Sequence, residues 1–269
     1  MSPRRVEVPT PGGSTRVHVW ENQSLCAQTV VTVHPWATLG GSEANTVGVA
    51  RELAASGLRA ITFQLAASSA LWGILSTHSA EVAQVEAVCK WATDTYGGQL
   101  VLFGSSAGAP IAGSVLPRLQ TPVTYIGLGY TFGRFAALGF GRHFGPLLRS
   151  DCPKLFIHGE NDEFTSVPTL QASRPHQALA RACTTRGPPS DPQPPRTRAA
   201  QAAVAKAAGP VNEVVIERGV GHFELEQPGA DQLVAGRIVD FLRELQPAAV
   251  TAAAGAARGA TGGTAPPPG

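Results

Sequence analysis

The chain is poor in the features that mark several functional classes. It has three lysines, Lys90, Lys154 and Lys206, and charged residues make up only 15% of its 269 positions. Basic and acidic residues nearly balance, 21 against 19, and no basic stripe gathers along the sequence. The electrostatic footprint expected of a nucleic-acid-binding protein is therefore missing. Its four cysteines, Cys26, Cys89, Cys152 and Cys183, lie far apart, and none forms a Cys-x-x-Cys pair. That spacing argues against a zinc knuckle, a redox dithiol and a disulfide scaffold. No apolar run approaches the roughly 20 residues needed to cross a bilayer. The first ten residues carry Arg4 and Arg5 but not the apolar core of a secretory signal. The expectation is a soluble protein without a membrane span, cytoplasmic or organellar.

Hydrophobic residues make up 43%, enough to bury a sizeable core and to exclude wholesale disorder. Two stretches differ from the rest. Residues 184–208 are rich in Pro, Ala and Arg and read as a surface insertion. Residues 248–269 are almost wholly Ala, Gly, Thr and Pro and read as a disordered tail. Residues 1–13 read as an N-terminal extension, which leaves 14–247 as the folded domain.

Within that domain short β-branched runs alternate with helical patterns. Strands are expected over 28–34, 58–64, 99–103, 122–128, 154–158 and 213–217. Helices are expected from Ser42 to about 55, then over 80–95, 107–119 and 230–245. This alternation implies right-handed crossovers and a mostly parallel sheet covered by helices on both faces. In such sheets reactive groups gather at the carboxyl ends of the strands.

Three groups of residues fall at those ends. Gly104-Ser105-Ser106-Ala107-Gly108 matches G-x-S-x-G between a strand and a helix. The pattern alone is weak, but a sharp strand-to-helix turn exposes the central hydroxyl and needs small neighbours. Ser106 is the candidate nucleophile; Ser105 is off-centre and should point elsewhere. An alcohol needs a base near neutral pH. His222 follows the strand over 213–217, and Asp162 follows the one over 154–158. The order Ser106, Asp162, His222 is the order this architecture requires. Glu160 and Glu163 stand close enough to compete for the acid's role. A developing oxyanion needs two donors. The Ala107 amide is one, and the His34–Gly41 loop supplies the other, Trp36 first and Ala37 second, because Pro35 has no N–H.

On these residues the chain resembles the α/β-hydrolase superfamily, and within it the plant and green-algal serine-hydrolase-like proteins with a His-Pro-Trp oxyanion loop. The matching pieces are His34–Gly41, Gly104–Gly108, Gly127–Phe132, His158–Ser166 and Gly219–Phe223, spread over 28–245. The resemblance implies the same three roles for Ser106, Asp162 and His222. It departs at Gln64–Gly73, where relatives carry an acid and a Gly- and Arg-containing turn and this chain is mostly apolar.

The reaction expected is cleavage of a carboxylic ester, thioester or similar acyl bond through an acyl-enzyme, with no metal or cofactor. The partner is then a small-molecule acyl substrate, with His34, Tyr130, Phe132 and Phe223 as candidate contacts. Only about twenty residues separate the strands over 122–128 and 154–158, too few for a large cap domain. The apolar run from Phe132 to Leu147 could line an acyl pocket or pack a helix on the core, and packing is the favoured expectation. Two alternatives share the constellation: a serine peptidase, and a non-catalytic ligand-binding protein of the same fold. The oligomeric state is not legible.

Overall fold

A computed structural model of the chain describes residues 1–22, 26–36, 40–66, 78–132, 134–172, 181–184 and 212–245. Among the described residues nine strands form one sheet: β1 (Arg4–Thr10), β2 (Gly13–Trp20), β3 (Gln28–Val33), β4 (Arg59–Phe63), β5 (Gln99–Ser105), β6 (Val123–Leu128), β7 (Lys154–Gly159), β8 (Arg181–Thr184) and β9 (Asn212–Glu217). Their order is β1-β2-β4-β3-β5-β6-β7-β9-β8. β1 and β2 pair antiparallel, as do β2 and β4; every other pairing is parallel.

The helices are α1 (Ala44–Ala55), α2 (Ser79–Tyr96), α3 (Gly108–Gly113), α4 (Arg134–Arg149), α5 (Val167–Ala172) and α6 (Asp231–Leu245). Successive strand residues point to opposite faces, so each central strand feeds two cores. Val31, Leu102, Tyr125 and Phe156 pack with α2, α3 and α4. Val30, Val101, Ile126 and Leu155, one residue away in each strand, pack with α1 and α6. Doubly covered strands cannot alternate apolar with polar residues, and β3, β4, β6 and β7 are buried along their whole length.

Several sequence expectations need correction. Residues 4–10 are not an extension: they form edge strand β1 in full register with β2, and Val8 is buried in the core. Ser42 does not cap α1, which starts at Ala44 with Glu43 before it; Ser42 instead donates to the Asn45 side chain. The helix expected over 107–119 ends at Gly113 and resumes as a 3-10 turn at Leu116–Arg118, where Pro117 cannot continue an α-helical ladder. The connection from β6 to β7 holds the single helix α4, with Phe140 and Leu147 buried against the core. Apart from Thr184, which ends β8, the 184–208 insertion lies outside the described residues, as do the tail over 248–269 and 67–73 of the atypical loop.

Removing the two outer carbons of Val8 tests whether the edge strand belongs to the domain. Val8→Ala should lower the unfolding free energy by roughly 1–3 kcal/mol, read from urea denaturation, whereas a detached segment would show no change.

Candidate active site

The centre of the site is the turn after β5. Ser106 has φ 50°, one of two non-glycine residues with a left-handed backbone among the described residues. Such a conformation costs of order 1–3 kcal/mol and persists only where the surroundings over-determine it. Here the Ser106 amide donates to Leu128 O at the end of β6, 2.8 Å away. The flanking glycines are required by contact. A Cβ on Gly104 would stand 2.5 Å from Ala109 Cα, and one on Gly108 would stand 2.2 Å from His34 O. The second contact also packs the start of α3 against the His34-Pro35-Trp36 segment.

His222 and Asp162 reach this turn from the ends of β9 and β7. Ser106 Oγ lies 2.8 Å from His222 Nε2, and His222 Nδ1 lies 2.6 Å from Asp162 Oδ2. Since a carboxylate can only accept, Nδ1 carries the proton and Nε2 accepts from the serine hydroxyl. His222 and Asp162 are buried while Ser106 is half-buried, so Ser106 is the most exposed residue of the three. Asp162 Oδ1 is occupied separately, accepting from the Phe164 and Thr165 amides at 2.9 and 2.7 Å. Burial pushes the Asp162 carboxyl up. The hydrogen bond and charge of His222, the charge of His158 and the Thr165 amide outweigh it and hold the carboxyl below its ordinary range.

The competing acids have other partners. Glu160 accepts from the Gly219 amide (3.0 Å) and Glu163 from the His222 amide (3.2 Å). Both hold the backbone of the histidine loop, and Asp162 holds its ring. His158 is fully buried and donates from Nε2 to Thr165 O at 2.5 Å, which closes the acid loop on itself.

Three of the four residues expected to contact substrate are buried. His34 is fully buried with both ring nitrogens engaged: Nδ1 donates to Pro35 O (2.5 Å), and Nε2 accepts from the Leu65 amide (2.9 Å). It ties the loop after β3 to the end of β4. Burial lowers its basicity, consistent with a neutral ring between a carbonyl and an N–H. Tyr130 is fully buried, and Phe132, 8% exposed, stacks on it with centroids 4.0 Å apart. Together with Phe144 and Phe156 they form an aromatic core cluster. Phe223 alone is open, 57% exposed and edge-on to His222.

The structure adds Phe164, 42% exposed, whose ring stands 4.7 Å from the imidazole centroid. Its place two residues after Asp162 was the available signal. Ser105 does turn away from Ser106, donating to Glu226 Oε1 at 2.5 Å. Trp36 packs edge-on to His78 and Phe140, and its carbonyl accepts from the Gly41 amide, closing the loop. Ala37 lies outside the described residues.

No protein-family model and no curated relative matches the sequence. The fold does match solved structures. An α/β serine hydrolase homologue from Coxiella burnetii superposes with TM-score 0.61 at 20% identity, over 91% of this chain and 99% of that one. An α/β serine hydrolase without a lid from Xanthomonas campestris gives 0.62 at 18% identity, over 92% and 97%. Dienelactone hydrolase from Anabaena variabilis gives 0.59 at 17% identity, over 90% and 98%. The chain has the α/β-hydrolase fold.

The depressed Asp162 carboxyl ties stability to pH. A group whose folded value is lowered contributes above its unfolded value, about pH 4, and that contribution is lost as pH falls through the folded value. Asp162→Asn should therefore be less stable than wild type at neutral pH, and the gap should close under acid. Urea titrations at graded pH check this; a gap that stays constant into acid would contradict it.

Proposed function

We propose that the protein is a serine hydrolase that cleaves a carboxylic ester, thioester or similar acyl bond by way of an acyl-enzyme. The observation that carries the reading is the unbroken hydrogen-bond chain from Ser106 through His222 to Asp162. In the first half-reaction Ser106 Oγ attacks the carbonyl carbon and its proton passes to His222 Nε2. The tetrahedral oxyanion is met by the amides of Ala107 and Trp36, and preorganised donors of this kind are each worth roughly 3–4 kcal/mol. Collapse expels the alcohol or thiol, which leaves with the proton from Nε2. Water then attacks the acyl carbon, gives its proton to Nε2, and the serine recovers it as the acid departs. Asp162 keeps the proton on Nδ1 and stabilises the imidazolium.

Phe164 and Phe223 form the open apolar rim beside the base. They suit an uncharged acyl or leaving group. The fold itself does not choose the leaving group, so the choice of ester over peptide rests on this small, open rim.

A fluorophosphonate probe should label the wild-type protein and leave Ser106→Ala unlabelled; a folded but unlabelled wild type would favour a ligand-binding protein. His222→Ala and Asp162→Asn should each lower kcat by roughly 10³-fold or more, while Glu160→Gln and Glu163→Gln cost at most a few-fold. Damage from Glu163→Gln comparable to that from Asp162→Asn would displace the acid assignment. Nitrophenyl esters of graded acyl length give the assay, and Phe223→Ala should raise KM most for the longer chains.

A further inference from the structure

A second polar link joins the elbow to the histidine turn, and its meaning rests on the hydrolase reading. Ser105 is the last residue of β5 and is 2% exposed. Its hydroxyl takes no part in the Ser106–His222–Asp162 chain and donates to Glu226. Glu226 closes the 3-10 turn Phe223–Glu226, which starts immediately after His222. Leu225, inside the same turn, is buried in the core shared with α6. Among the described residues, side-chain hydrogen bonds to the backbone of the histidine loop come from Glu160 and Glu163 on the acid loop, and from Glu224 within the turn, to the Gly221 amide at 2.7 Å. Those bonds place the base relative to the acid or shape the turn itself. The Glu226–Ser105 bond refers the base to the nucleophile's own strand.

A carboxylate withdrawn from water needs compensation. Burial pushes the Glu226 carboxyl up, the Ser105 hydroxyl and the His222 ring hold it down, and Asp162 pushes it up again; the balance lies above the ordinary range. A short hydroxyl-to-carboxylate bond is among the stronger hydrogen bonds available to a side chain. Ser106 and His222 depend on a separation good to a fraction of an ångström, and misplacement by about 1 Å costs on the order of a hundredfold in rate.

We propose that Ser105 and Glu226 are a positioning pair that sets the distance between the Ser106 hydroxyl and His222 Nε2 before substrate arrives. Neither touches the reacting atoms; both act through the backbone of the elbow and of the histidine turn. The pair works as donor and acceptor, so what matters at position 226 is an oxygen in the right place.

The test is the second-order rate of fluorophosphonate labelling, with kcat and KM on a nitrophenyl ester and the melting temperature alongside. Ser105→Ala and Glu226→Leu should label roughly tenfold more slowly with KM nearly unchanged. Glu226→Gln keeps an acceptor oxygen and should label within about twofold of wild type. Wild-type labelling in Ser105→Ala would overturn the proposal. So would Glu226→Gln as slow as Glu226→Leu, because the effect would then belong to charge. If Glu226→Leu does not fold, Ser105→Ala, which removes one oxygen, decides. A wild-type protein that fails to label, or labels without Ser106, would instead sink the hydrolase reading.

Discussion

The left-handed backbone at Ser106 is the constraint on which the rest of the site depends. A serine held in that conformation must be stabilised from outside, and the sheet supplies the support. Leu128 O takes its amide, and two glycines let α3 and the loop after β3 close in without collision. Because β5 sits at the centre of nine strands, with both faces packed, the turn at its end cannot relax by shifting the strand. The strain is local and its support is global, which is why the hydroxyl projects from the sheet edge at all.

The other parts of the site share that geometry. β7 and β9 pair in parallel, so their carboxyl ends bring the acid and histidine loops side by side. Proximity alone leaves a choice among several carboxylates, and hydrogen bonding resolves it. Asp162 is short enough to fold back onto the amides of its own turn and present one oxygen to the ring. Glu160 and Glu163, one methylene longer, reach past the ring to backbone amides. The result is an ordered division of work among acids that a linear reading can only count.

Much of this was legible in the residues. Strand positions 28–33, 99–105, 123–128 and 154–159 are largely apolar because both faces are buried, and that pattern survives in one dimension. The three side chains of the proposed triad were candidates for the same reason: each follows a largely apolar strand, in the chain order expected of this fold. What was missed depends on three-dimensional neighbours. β1 is an edge strand with one solvated side, so Arg5, Glu7 and Pro9 obscure its single buried valine. His34 and Tyr130 have side chains suited to binding, and their burial follows from Leu65 and Phe156, which no local window contains. Ser105 and Glu226 lie 121 positions apart, and only the folded chain joins them.

Gly129 has a dynamic consequence. A Cβ at that position would stand 3.0 Å from Cε1 of His222 and 3.1 Å from Nδ1, so the backbone of the β6 end is pressed against the imidazole while Phe164 stands near the ring from elsewhere. The ring has little room to rotate about its own bond to the chain. Under the proposed chemistry, a proton picked up on one nitrogen is therefore handed on from that same nitrogen in both half-reactions. The base acts as a fixed relay, with its orientation preserved from one turnover to the next.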